Sequence, residues 1–75
     1  MSASPCVVDA RGLEPPRPMQ LVLEALRALA PGDELLVLLH REPYPLYEIL
    51  ADNGYDWSVA RQDDASYAIR IFYRR

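Results

Sequence analysis

The sequence predicts an α/β fold of the α+β kind, a two-layer sandwich of order βαβαββ with two helices on one face of a four-stranded mixed sheet. Three observations carry that expectation. Two short apolar runs flank a stretch of helical periodicity, the signature of a βαβ unit. A second, shorter helical stretch follows. The chain then closes with two β-prone runs joined by a polar turn, as in an antiparallel hairpin.

Cys6-Val7-Val8-Asp9 is the first strand, and it stops at Arg11-Gly12, where the chain turns. In the following Leu13-Glu14-Pro15-Pro16-Arg17-Pro18, three prolines within four residues restrict φ and remove three backbone donors. Such a segment is stiff and leads only into a helix. Apolar residues then recur at Met19, Val22, Leu23, Leu26, Leu29 and Ala30, widened by Leu21 and Ala25. That spacing is one face of a helix of roughly 14 residues, which Pro31-Gly32 is expected to end. Gln20, Glu24 and Arg27 form the opposite, polar face.

Leu35-Leu36-Val37-Leu38-Leu39 is an uninterrupted apolar run and predicts a central strand covered on both faces. A strand, a helix and a second strand predict parallel pairing, so Asp9-Ala10-Arg11 and His40-Arg41-Glu42 fall on the same, carboxyl edge of the sheet. Pro43-Tyr44-Pro45 sets up the second helix. Leu46, Ile49 and Leu50 supply its apolar face, and Asn53-Gly54 closes it. Trp57 to Arg61 and Tyr67 to Tyr73 are the hairpin strands around Gln62-Asp63-Asp64-Ala65-Ser66. In the last strand Tyr67, Ile69, Ile71 and Tyr73 suit the core, while Ala68, Arg70, Phe72 and Arg74 fall on the other face. Two helices leave that face bare, so it is expected to meet a second copy or another protein.

A chain of 75 residues, 51% hydrophobic and 25% charged, is expected to fold as one domain over 1–75, with the first five residues frayed. Net charge is −3, which disfavours nucleic acid as a partner. All eight basic residues are arginine. The single cysteine, Cys6, excludes an internal disulfide and a multi-thiolate metal site and suits a reducing cytoplasm. With no signal-peptide pattern and no apolar run of membrane-spanning length, a soluble cytoplasmic protein that does not enter a membrane is expected.

The carboxyl edge of an open parallel sheet is the default ligand crevice. Here it gathers Asp9, Arg11, Glu14, Arg17, His40, Arg41 and Glu42. Arginines beside a helix N-terminus suit a small anion, although Pro16 and Pro18 withdraw donors from that site. The plainer reading pairs Arg11, Arg17 and Arg41 with Asp9, Glu14 and Glu42 to tie two loops together. A lone histidine makes a poor metal site and lacks a nucleophile to serve as base, so His40 is expected to hydrogen-bond a loop, with a pH-sensitive contact as runner-up. Tyr44, Tyr47, Tyr55 and Trp57 either line a pocket beside it or pack the second helix. No catalytic residue, metal or cofactor is expected.

The strand ending in Asp9-Ala10-Arg11-Gly12-Leu13, the helix opened by Pro16-x-Pro18 and the strand entry Ala30-Pro31-Gly32-Asp33-Glu34-Leu35 together resemble the TusA (SirA-like) family of small sulfur-relay proteins. The likeness covers nearly the whole chain and includes His40-Arg41-Glu42-Pro43, an element resembling that of an uncharacterised TusA-like branch. It implies the two-layer sandwich shared with the C-terminal domain of translation initiation factor three. That family carries its sulfur on a cysteine directly before the first proline of Cys-Pro-x-Pro, and the matching position here is Pro15. Proline has no thiol to hold a persulfide. Cys6 is expected to be a small buried residue set back from the edge. The leading expectation is therefore a non-catalytic module binding a protein or ligand at the carboxyl edge. A sulfur-relay role through Cys6 comes second. RNA binding through Arg61, Arg70, Arg74 and Arg75 comes third, against the overall acidity.

Overall fold

In the computed structural model, which describes residues 6–74, period-two alternation decides the layering of the sheet. The elements are β1 (Cys6–Asp9), α1 (Arg17–Arg27), β2 (Glu34–Leu39), α2 (Tyr44–Asp52), β3 (Tyr55–Arg61) and β4 (Tyr67–Tyr73). Residues 1–5, expected to fray, and Arg75 lie outside the described residues. The strand order is β1-β2-β4-β3, with β1 parallel to β2 and the other two pairings antiparallel. The βαβαββ order, the mixed sheet and the terminal hairpin match the sequence expectation.

One face carries the core. Leu35, Val37 and Leu39 of β2 and Ile69 and Ile71 of β4 are buried against Val22, Leu26 and Leu29 from the first helical segment and Leu46 and Leu50 of α2. Tyr67 and Tyr73 sit half-buried on that face, at the two ends of the β4 core stripe. The apolar run of β2 does not mean cover on both sides, however. Leu36 and Leu38 are only half-buried, on the opposite face, which they share through the register with Val7, Ala68, Arg70 and Phe72. Both helices lie on the other side of the sheet. An interior strand of an open two-layer sheet can thus be apolar throughout while one face stays uncovered.

The first helix ends at Arg27, three residues before Ala30 and not at Pro31-Gly32 as expected. Its last turn tightens: the Ala28 N–H bonds to the Ala25 carbonyl and the Leu29 N–H to the Leu26 carbonyl, both at 3.1 Å. This turn drops Leu29 into the core and leaves Ala30 exposed. The Tyr73 hydroxyl donates to the Leu29 carbonyl at 2.8 Å, and Tyr55 makes a longer contact of 3.5 Å to the Leu26 carbonyl. Two strand tyrosines therefore reach carbonyls of the helix end, Tyr73 supplying the Leu29 carbonyl and Tyr55 adding a second, longer contact at Leu26. At the end of α2, Asn53-Gly54 behaves as expected, with Gly54 at φ 81°.

Cys6 is exposed, which corrects the expectation of a buried residue. It opens β1, an edge strand that has a neighbour on one side only among the described residues. The hairpin turn closes through the Gln62 N–H to the Ser66 carbonyl at 2.8 Å and the Ala65 N–H to the Gln62 carbonyl at 2.9 Å. Ser66 is fully buried there, and its hydroxyl and N–H both donate to Asp64 Oδ1.

Candidate functional site

Parallel pairing of β1 with β2 brings their two exits together. The Ala10 N–H extends the ladder to the Leu38 carbonyl at 2.9 Å, and the chain then reverses at Gly12, with φ 80°. There the Gly12 N–H donates to His40 Nδ1 at 3.1 Å, joining the proline turn to the exit of β2. The loop hydrogen bond expected of His40 is present. With Nδ1 acting as the acceptor, neutral His40 carries its proton on Nε2.

Between these exits lies a cleft of about 530 Å³. One wall is the proline turn and the start of α1, with Leu13, Pro15, Pro16, Pro18, Met19 and Val22. The other is formed by Leu39, Pro43 and Leu46, and Ala10 closes the floor. Glu14, His40, Arg41 and Glu42 are the ionisable residues of the lining. Most of the wall is apolar.

The expected site residues divide accordingly. Glu14, Pro15, His40, Arg41 and Glu42 meet at the cleft. Arg11 and Arg17 do not line it. Arg11 instead holds Asp9 through Nη2 at 2.8 Å and Nε at 2.9 Å, and it reaches Asp64 of the hairpin turn at 3.4 Å. The Arg11 hydrogen bonds pull the Asp9 carboxyl from 3.8 down to about 2. The Ser66 hydroxyl, and after it the Ser66 N–H, lowers Asp64. Arg17 lies on the outer face of α1, in a depression shared with Gln20, Glu24 and Arg27. Among the described residues the expected Arg17–Glu14 and Arg41–Glu42 ion pairs are not formed.

Glu42 is engaged elsewhere. Its Oε1 accepts from the Tyr44 hydroxyl at 3.1 Å and its Oε2 from the Tyr47 hydroxyl at 3.2 Å. Tyr47 stacks on Trp57 with ring centroids 5.3 Å apart and planes 6° from parallel. Burial first, and then the bond to Glu42, pushes the Tyr47 hydroxyl up to about 12. The Tyr47–Trp57 stack packs α2 against β3, Tyr44 is exposed, none of the three lines the cleft, and Tyr55 is paired with Tyr73 at the far end of α1. Of the arginines considered for RNA, Arg70 is paired with Glu34 at 3.0 Å and Arg74 donates to the Tyr55 carbonyl.

Sequence reading missed the apolar lining, because Met19, Val22 and Leu46 fit the helix stripes that make the core. One signal was available. Met19 and Leu46 lie in the first turn of their helices, and both helices begin at the carboxyl edge. Among the described residues no group of three or more His, Cys, Asp or Glu side chains is placed to hold a metal ion.

The whole arrangement is similar to a known fold. The crystal structure of a SirA-like protein from Desulfitobacterium hafniense superposes with a TM-score of 0.80 at 20% identity, covering 93% of this chain and 99% of that one. At that identity the likeness establishes the SirA-like sandwich and nothing finer. No curated protein matches the chain. A family model described as an uncharacterized conserved protein, DUF2249, matches residues 7–72. Spanning β1 to β4 with both cleft walls, that match establishes that the chain belongs to the DUF2249 family.

Proposed function

We propose that this chain is a non-catalytic binding module whose site is the carboxyl-edge cleft. The cleft itself carries the reading: it falls within the roughly 300–1,000 Å³ usual for ligand sites, its walls are apolar, and its few ionisable groups converge at one edge. Among the described residues its lining contains neither cysteine nor serine, and Pro15 stands where the resemblance would put a carrier thiol. Native mass analysis and capture from lysate, with wild type, Leu13→Glu and Arg41→Ala, test this. Leu13 is 38% exposed, so a charge there alters the wall without opening the core. A ligand or partner held by wild type and lost in either variant supports the reading. Retention of nothing by wild type, or equal retention by all three, overturns it.

A second reading draws on the exposure of Cys6, which leaves its thiol accessible for sulfur relay. Against it stands position, since Cys6 is four residues from Ala10 along the strand, about 13 Å by the rise per residue. Incubation with a persulfide donor decides the matter. A mass gain of one sulfur that Cys6→Ser abolishes would favour relay over binding. We further propose that the open sheet face serves a second copy of the chain.

A further inference from the structure

We infer that the carboxyl-edge cleft takes a small monocarboxylic acid with an apolar body, and not a phosphate-bearing ligand; the inference rests on the cleft being a binding site. Two helices begin at this cleft, an arrangement that ordinarily supplies free N–H groups for phosphate. Here most of those donors are missing or used, and at α1 the Met19 N–H alone keeps no carbonyl partner among the described residues. Pro16 and Pro18 have none, the Arg17 N–H bonds to the Glu14 carbonyl at 3.0 Å, and the Gln20 N–H bonds to the Pro16 carbonyl at 3.1 Å. At α2, Pro45 has none. The N–H groups of Tyr44, Leu46 and Tyr47 go to the Glu42 and Pro43 carbonyls at 3.1, 2.9 and 3.3 Å.

One N–H falls short of a phosphate cradle, so charge recognition falls mainly to side chains. Both oxygens of Glu42 accept tyrosine hydroxyls. His40 has Nδ1 occupied by Gly12, leaving Nε2–H as one neutral donor. Arg41 is the one guanidinium in the lining and has no ion pair among the described residues. One cation, one neutral donor and apolar walls complement a single carboxylate on an apolar body. Glu14, also in the lining and without an ion pair among the described residues, opposes an anion, so it sets the sign of a second test.

Octanoate, octanol and inorganic phosphate are titrated into the protein, and the Met19 and Leu46 methyl signals and the rim amides are followed by NMR. Octanoate should shift both sets. Arg41→Met should weaken octanoate about threefold, and Glu14→Gln should tighten it by a similar factor, as expected of partly exposed charges, while octanol is unaffected by either change. If neither octanoate nor octanol shifts the methyls, the cleft is not a binding site and both readings fall. If both shift them but Arg41→Met leaves octanoate unchanged, the cleft reading stands and the carboxylate inference is overturned. Rim shifts with phosphate at the concentration where octanoate saturates overturn it as well.

Discussion

His40 and Asp9 show how two residues at the same sheet edge come to do different work. His40 spends a ring nitrogen on a backbone N–H of the opposite loop, whereas Asp9 is held by Arg11 two residues on, which also reaches across to Asp64. The histidine bond was legible in the sequence because a lone imidazole at a strand exit has few other uses. The engagement of Glu42 was not, because the tyrosines that claim it could as well have turned toward the cleft. The Asp9 pair has a checkable pH signature. Its folded pKa is depressed from 3.8 to about 2, so its stabilising effect is complete above the unfolded value and is lost as pH falls through about 2. Carboxyl NMR should therefore give Asp9 a midpoint near 2, and Arg11→Gln should return it toward 3.8. An unchanged midpoint in the variant would separate the shift from the ion pair. Because both partners are substantially exposed, the accompanying change in stability should be small.

At the scale of elements, strand and helix existence followed from periodicity, and the boundaries depended on contacts that periodicity does not contain. Pro31-Gly32 is a sound stop signal, yet α1 ends earlier because Leu29 turns into the core and its carbonyl meets a tyrosine 44 residues away. Replacing that hydroxyl tests its weight. Tyr73→Phe should cost about 1 kcal/mol, the usual net value of one intramolecular hydrogen bond, in urea unfolding followed by circular dichroism. The hairpin offers a change of opposite sign. Ala65 has φ 68°, a region where an L side chain is strained and glycine is not. Ala65→Gly should therefore raise stability by about 0.5–1 kcal/mol, net of the extra chain entropy that glycine brings to the unfolded state. A loss of stability there would mean that the turn relaxes in solution to negative φ.

For the molecule as a whole, the alternating residues of β4 told which face is core, and the apolar length of β2 told that it is interior. Neither told what covers the other side. That face presents Leu36, Leu38, Ala68 and Phe72 half-buried and Val7 57% exposed, with the Glu34–Arg70 pair beside them. A two-fold arrangement would let Glu34 of each copy approach Arg70 of the other, so the surface is self-complementary in charge as well as apolar. Its size sets the strength. Four strands spaced about 4.8 Å apart, and about 23 Å long at most, give roughly 440 Å² of flat area. That falls short of the roughly 800 Å² per partner found in stable complexes. Self-association should therefore be weak, with monomer at micromolar concentration and a rising average mass as sedimentation equilibrium is carried toward the millimolar range. Leu38→Lys, which puts a charge at the centre of the face without touching the helix-side core, should hold the protein monomeric over the same range. Wild type that stays monomeric throughout, or a variant that associates equally, would remove the second copy as the occupant of this face.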